Sequence, residues 1–404
     1  MNWEDTDFGN LISDIALGPF GSSITADNYV PSGVPILRGQ NLEGTQAKLD
    51  DLAFLTSEKA DTLGRSITHP GELVMVHVGT VGRASMVPYN NKYSKMIVSQ
   101  NLLRIKLNDT MAAPLFYAYW LNSPQGQWVI ESCASQTGVP SLPRARETVK
   151  TFRVPFPRLS IQKAITGVLG ALDDKIAANQ KLLQLSSKLL RLQYLQLMDG
   201  PLIPFDNIAY EMREKVDPRS VDTSTPQVSL EHFDKKSVWL QEWGNAGEVE
   251  STKSRFKEGN LLFGKLRPYF HKVSIAPVEG ICSTDVLVIR SLESKHRILV
   301  GIAANSDQVV NNAVMNSNGT RMPRAKWADL AQCEVPDPNS PDVIDFCQFG
   351  ESIYQASKAA IKENQVLART RDELLPLLMS GKITVAEAEE AVAGGVGVGK
   401  REEA

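Results

Sequence analysis

The chain holds 404 residues, 42% hydrophobic and 22% charged, with 43 basic side chains against 46 acidic ones and a formal net charge of −3. At roughly 150 residues per domain that is enough for two or three domains with real cores, and it excludes a mainly disordered, collagen-like or membrane-spanning chain. No apolar run approaches the roughly 18 residues that a bilayer crossing needs.

The acidic opening, Met1-Asn-Trp-Glu-Asp, lacks the basic and then apolar stretch of a signal peptide. Cys133, Cys282, Cys333 and Cys347 are scattered without CxxC spacing, which argues against a zinc site and for a reducing, cytoplasmic setting. Residues 1–157 read as a first globular domain of short mixed strands and helices punctuated by glycine and proline, with Leu73-Val-Met-Val-His-Val of strand composition. Pro155 and Pro157 close it, because the residue before a proline avoids helix, and Ser160 is the expected N-cap of a long helix. That helix fills 158–200, about 39 residues from Ser160 to Met198 and roughly 60 Å of length. Ile165, Leu169, Leu172, Ile176, Leu183, Leu190 and Leu197 keep the 4,3 rhythm of a coiled coil. One seam position turns polar halfway along, at Asn179, Ser186 and Gln193. In the same half a second stripe, Leu182, Leu185, Leu189 and Leu192, implies contact with a further helix or chain.

Residues 201–338 read as a second globular domain, with strand-like Val286-Leu-Val-Ile and a closing Pro336 and Pro338. A second long helix, 339–385, has Ser340 near its start and Pro341 at a tolerated first-turn position. It carries Phe349, Ile353, Ala360, Leu367, Leu374 and Leu378, and Pro376 should kink or end it. Residues 386–404 read as a flexible tail.

The two halves repeat one another in order. Phe8-Gly-Asn-Leu-Ile returns as Phe205-Asp-Asn-Ile-Ala, and His69-Pro-Gly-Glu-Leu-Val-Met as Lys257-Glu-Gly-Asn-Leu-Leu-Phe. Ser99-Gln-Asn-Leu-Leu-Arg-Ile returns as Ser283-Thr-Asp-Val-Leu-Val-Ile. Thr137-Gly-Val-Pro-Ser-Leu-Pro-Arg-Ala returns, one residue shorter, as Asn318-Gly-Thr-Arg-Met-Pro-Arg-Ala, and Leu197-Met-Asp-Gly as Leu378-Met-Ser-Gly. The economical architecture is α+β: two similar mixed α/β domains joined by two long antiparallel coiled-coil helices about a pseudo-twofold.

Catalytic chemistry has no visible home. Gly394-Gly-Val-Gly-Val-Gly-Lys400 fits GxxxxGK, but Arg401 stands where a magnesium-holding Ser or Thr belongs. His69, His77, His232, His271 and His296 form no metal-ligand spacing. Asp285, Glu293 and Lys295 loosely resemble a metal-dependent nuclease triad, yet one strand-like run would carry all three. A nucleophile elbow is absent, as are the methyl-donor and Asn-Pro-Pro-Tyr motifs of an amino-methyltransferase. Basic residues do cluster, with Lys253, Arg255, Lys257, Lys265, Arg267 and Lys272 in one half and Arg144, Arg146, Lys150, Arg153 and Arg158 in the other.

The segments Gly18-Pro-Phe-Gly-Ser-Ser-Ile, Tyr29-Val-Pro-Ser-Gly-Val-Pro-Ile-Leu-Arg-Gly-Gln-Asn-Leu, Gly259-Asn-Leu-Leu-Phe-Gly-Lys-Leu-Arg-Pro-Tyr, Gly319-Thr-Arg-Met-Pro-Arg-Ala and Leu374-Leu-Pro-Leu-Leu-Met-Ser-Gly-Lys-Ile carry a resemblance. To about Val385 the chain resembles the DNA-specificity subunit of a type I restriction–modification enzyme. The family's double proline before the first helix is replaced by Phe156-Pro157-Arg158. The resemblance implies two target-recognition domains on a split double-stranded DNA site and two helices that set half-site separation. It also implies docking of two methyltransferase subunits, with restriction/translocase subunits as further partners and no membrane. S-adenosylmethionine and ATP with magnesium would be bound by those partners; no cofactor or metal is expected in this chain, which would be a non-catalytic recognition subunit.

For DNA contact the expected residues are Arg38, Gln40, Asn41, Thr80, Arg83, Gln100 and Arg144 in the first domain. In the second they are Lys265, Arg267, Tyr269, His271, Lys272, Arg321 and Arg324. A structural role is the competing reading for Arg144 and Arg324 in the repeated Pro-Arg-Ala, for Asn41 as a turn cap and for Tyr269 in a core. Leu182, Leu185, Leu189, Leu192, Leu374 and Leu378 are the expected partner-binding helix face. Two other functions stay open at this point: a non-catalytic helical scaffold with two partner-binding heads and no DNA specificity, and a nuclease using Asp285 and Glu293.

Overall fold

The computed structural model describes residues 3–135, 137–317 and 322–394. It contains two compact units, one made of residues 1–174 and 367–404 and the other of residues 175–366, so each long helix contributes to both.

In the first unit the apolar run around Leu73 becomes a strand buried on both faces. It lies third in an antiparallel sheet ordered Ile12–Leu17, Leu102–Leu107, Leu73–Val76, Ala84–Met86. Helix Pro114–Asn122 packs on this sheet, with Phe116 through Leu121 all buried, which explains an apolar character on every side. Phe116 and Tyr117 meet edge to face at 5.1 Å. The Tyr117 hydroxyl donates to the Pro155 carbonyl at 3.1 Å, so the ring is buried without an orphaned polar atom. Each such large side chain is worth roughly 1.5–3 kcal/mol of burial.

The second unit repeats this plan. Its four-stranded sheet runs Ala209–Met212, Val286–Ser291, Leu261–Gly264, Val273–Ile275 and is covered by the buried helix Arg297–Ala304. The next helix in each unit, Pro124–Cys133 and Asp307–Asn316, is capped alike, by Ser123 accepting from Gly126 N and Ser306 accepting from Val309 N. Phe8 and Phe205 are both fully buried and donate backbone N–H bonds of 2.9 Å to Phe152 and Cys333. Gly71 and Gly259 share a left-handed turn at φ +86° and +78°. The sequence repeat is therefore a repeat of backbone hydrogen bonds.

A second, five-stranded sheet in each unit shows where the halves diverge. In the first it runs Tyr29–Val30, Ala53–Leu55, Val34–Leu37, Met96–Val98, Ile67–Thr68, with the Val34–Leu37/Met96–Val98 pair parallel. In the second it runs Lys215–Val216, Lys253–Phe256, Gly280–Cys282, Pro226–Val228, Gly244–Asn245, again with one parallel pair, Pro226–Val228 and Gly280–Cys282. Four strands correspond. The fifth, Tyr29–Val30 or Lys215–Val216, comes from the same place in the chain but adds to opposite edges.

The long helices run Leu159–Leu197 and Pro341–Met379, 39 residues each. Ser160 lies inside the first turn and does not cap it, since Ile161 N and Gln162 N donate to the Arg158 carbonyl at 2.9 and 3.1 Å. The helix start is instead clamped by buried Gln162, which accepts from Ala113 N at 2.8 Å and donates to the Pro157 carbonyl at 2.8 Å. Pro376 does not end the second helix at once: the helix runs three residues past it to Met379, although the proline has no N–H to give to the carbonyl four residues before it. The expected tail from residue 386 is corrected as well: Val385–Ala393 is a helix with a Thr384/Glu387 capping box, and Ala388 is fully buried in the first unit's core. Residues 395–404, with most of the glycine-rich segment, lie outside the described residues.

Candidate nucleic-acid interface

In the first unit four strands end at one place. Ile12–Leu17, Val34–Leu37, Leu73–Val76 and Met96–Val98 all point their C-terminal ends at an open cleft of about 710 Å³. The backbone there is tightly laced: Ser99 N donates to the Leu37 carbonyl at 2.9 Å and His77 N to the Asn101 carbonyl at 3.0 Å. At Gly18 a side chain is impossible, since a Cβ would lie 1.9 Å from the Ser99 carbonyl oxygen. His77 Nε2 contacts the Gln100 carbonyl at 3.1 Å, and burial holds its pKa below the usual imidazole value.

Five of the six expected contact residues outside Arg144 line this cleft: Arg38, Gln40, Thr80, Arg83 and Gln100. The sixth, Asn41, is corrected. It is 2% exposed, accepting from Arg38 N at 2.9 Å and donating to the Asp50 carbonyl at 3.3 Å, so it holds the turn beneath the cleft. Arg38 also reaches the Asp51 carbonyl, at 3.2 Å. Arg144 is exposed, with a left-handed backbone at φ +46° ahead of helix Ala145–Lys150, and does not line the cleft. The cleft is also lined by residues that are not among the expected contacts, including Phe20, 83% exposed at the lip, and the polar Tyr29, Ser99 and Asn101. The glycines flanking Pro19-Phe20 are the sequence signal for the first.

The second unit builds the same frame with other side chains. Ser283 N donates to the Val228 carbonyl and Lys265 N to the Asp285 carbonyl, both at 2.8 Å. Lys265 Nζ donates to the Thr284 carbonyl at 2.8 Å, the place His77 takes on Gln100. Arg83 and Lys272 correspond, their carbonyls accepting from Val76 N and Gly264 N. The Asn41 cap becomes His232, whose Nδ1 accepts from Ser229 N at 2.9 Å. By the same bonds Arg38 becomes Ser229, Gln40 becomes Glu231 and Gln100 becomes Thr284.

Of the residues expected here, Lys265, Arg267, Tyr269, Lys272 and Arg324 surround this second surface, with Tyr269 and Phe270 exposed and 4.8 Å apart. His271 is corrected. It is 4% exposed, its Nε2 sits 2.9 Å from the Asn305 carbonyl, and burial depresses its pKa, so it anchors the loop from inside. Arg321 lies outside the described residues. The Pro-Arg-Ala match is out of register. Ala325 N donates to the Lys265 carbonyl as Leu142 N does to His77, which makes Arg324 the counterpart of Ser141 and not of Arg144. Arg324 pairs with Asp285 at 3.2 Å.

Asp285 and Glu293 stand beyond opposite ends of strand Val286–Ser291, on the order of 20 Å of extended chain apart. Glu293 is paired with Lys295 at 2.9 Å. One metal cannot bridge such carboxylates, which removes the nuclease reading of that pair. Among the described residues no group of three metal-ligating side chains occurs, and no helix is long and apolar enough to cross a membrane.

On the first long helix Leu182, Leu185, Leu189 and Leu192 are 41–63% exposed, and Leu195 extends the stripe. Leu374 and Leu378 are corrected: both are fully buried, in the first unit's core, where the Leu378 carbonyl accepts from Trp3 Nε1 at 3.3 Å.

No family model matches the chain. Over 141 residues it is 28% identical to the EcoDI type I restriction enzyme specificity subunit of Escherichia coli, a match covering 34% of this chain and only 31% of that relative. It is 19% identical over 95% of its length to a Methanocaldococcus jannaschii protein assigned as the MjaX type I restriction enzyme specificity subunit, 94% of which is covered. In fold it is similar to the crystal structure of the type I restriction-modification S subunit from M. genitalium, with a TM-score of 0.61, 14% identity and coverage of 94% and 96% of the two chains.

Proposed function

We propose that this chain, a relative of type I restriction specificity subunits in sequence and in fold, recognises duplex DNA as a bipartite site and directs adenine-N6 methylation and restriction to it in the cytoplasm. Each unit reads one half-site. The two long helices fix the separation of the halves, and the exposed leucine stripe docks methyltransferase subunits. S-adenosylmethionine, ATP and magnesium belong to those partners and to any restriction subunit, and this chain contributes no catalytic group.

The observation that carries this reading is the pairing of a shared backbone frame with unlike side chains. Both units hold Arg83 or Lys272 on the same strand return, while Arg38, Gln40 and Gln100 are replaced by Ser229, Glu231 and Thr284. A cationic position common to both suits phosphate, which fixes register whatever the sequence. Variable polar positions on a rigid frame suit base edges, so two heads of one fold can read two different half-sites.

The test is selection of the full chain on randomised duplexes, followed by titration against salt. A split motif and a steep loss of affinity with salt are expected, through counterion release. Arg83→Ala and Lys272→Ala should each lower the slope by about 1 without changing the selected sequence. Binding with no motif would favour a scaffold with two partner-binding heads.

A further inference from the structure

Loop 77–82 of the first unit and loop 265–271 of the second leave and rejoin equivalent strands, and both turn twice through left-handed backbone. In the first the corners are Gly79 and Gly82, each at φ +96°; in the second they are Arg267 and His271, at φ +52° and +53°. The first corner is held identically, by Gly79 N on the Pro140 carbonyl at 2.9 Å and Arg267 N on the Pro323 carbonyl at 2.8 Å. Glycine takes such a conformation freely, whereas a residue with a Cβ does so at a cost in stability. The cost at His271 is offset by its buried bond to Asn305. At Arg267 no side-chain bond offsets it: the side chain is exposed, and among the described residues its guanidinium has no hydrogen-bond or ion-pair partner.

Three neighbouring cations are each held by a protein acceptor, a fixed charge that suits phosphate rather than the reading of a base edge. Lys265 donates to the Thr284 carbonyl, Lys272 to the Leu230 carbonyl at 2.6 Å, and Arg324 pairs with Asp285. A strained backbone that presents a free side chain beside an exposed aromatic pair is a feature kept for a contact. A planar guanidinium offers two parallel N–H donors, the fork that fits O6 and N7 of guanine in the major groove.

We infer that Arg267 is the specificity-determining residue of the second unit, reading a guanine edge from a left-handed corner that the first unit leaves bare at Gly79. This rests on the proposed DNA reading and narrows it to one residue and one base.

The experiment selects duplexes from a randomised library with the full wild-type chain and with Arg267→Gly. The wild type should enrich a split motif. Arg267→Gly should enrich the same motif with one guanine of one half relaxed, and should melt at or above the wild-type temperature, because glycine suits that corner. Replacing that guanine by 7-deazaguanine, which lacks the N7 acceptor, should weaken wild-type binding roughly 5- to 150-fold and leave Arg267→Gly unaffected. Arg267→Lys keeps the charge, loses the fork and should relax the same position.

An unchanged motif with Arg267→Gly would overturn the inference, as would an even loss across all sequences, the mark of a phosphate contact. Melting of Arg267→Gly below the wild type would overturn the strain argument. A wild-type chain that enriches no motif would instead overturn the DNA reading itself.

Discussion

Asn179 donates from Nδ2 to Asn364 Oδ1 at 2.9 Å and to Glu363 Oε2 at 2.7 Å, inside the helix pair of the second unit. Seven residues further along, Ser186 meets Ser357 at 3.4 Å, seven residues earlier on the second helix, so the pair is antiparallel in a fixed register. The polar turn of the seam is thus a run of matched partners. Buried polar pairs of this kind specify register at some expense of stability. Asn179→Ala should cost about 1–2 kcal/mol in chemical denaturation, because Glu363 and Asn364 lose their donor.

Asp173 should prove a larger loss. One oxygen takes Arg371 Nη1 at 2.7 Å and the other the Tyr119 hydroxyl at 2.5 Å, and burial and this carboxylate keep the Tyr119 phenol protonated as a donor. Asp173→Ala leaves the Tyr119 hydroxyl without this acceptor and the half-buried Arg371 guanidinium with Asp372 alone, and should cost about 2–4 kcal/mol by urea denaturation. Tyr119→Phe, which removes a single bond, should cost about 1 kcal/mol.

Acid should weaken the second unit. Burial depresses the His271 pKa below its ordinary 6.5, the Asn305 carbonyl and Asp307 opposing and Lys236 and Arg191 assisting. The unfolded chain therefore binds the proton more readily, so stability is full above about pH 6.5 and falls as pH drops through the folded-state value. Burial lowers His77 and His296 in the same direction. Urea midpoints should decline from about pH 7.5 to about pH 5.5, and His271→Asn should flatten that decline.

The leucine stripe and the buried leucines should separate cleanly. Leu185→Lys with Leu192→Lys, at 52% and 63% exposure, should leave stability within about 0.5 kcal/mol while abolishing capture of methyltransferase subunits in co-purification. Leu374→Ala or Leu378→Ala, both fully buried, should cost about 2–5 kcal/mol each.

Much of this was legible in the chain. Heptad spacing located the first long helix to within a residue, whereas the second, read as 339–385, starts at Pro341 and already ends at Met379. The repeat foretold two similar units, since Phe8/Phe205 and Ser99/Ser283 mark shared backbone bonds. Five of the six first-unit residues other than Arg144 share one cleft, because polar residues just after apolar strands must emerge at the strand ends. What was hidden depended on burial and register. Asn41 and His271 have side chains suited to DNA, but tertiary packing turns them inward. The Pro-Arg-Ala match misled because identical letters sit at different distances from the following helix. Leu374 and Leu378 continue the seam of the second helix, and only the fold decides that a core covers them.

The central claim, that two units read two halves of one DNA site, is tested most directly by a single-molecule methylome of the source organism with and without this gene. A split adenine-methylated motif should vanish on deletion, its two halves separated by unread bases. Loss of no motif, or loss of one unbroken motif, would contradict it.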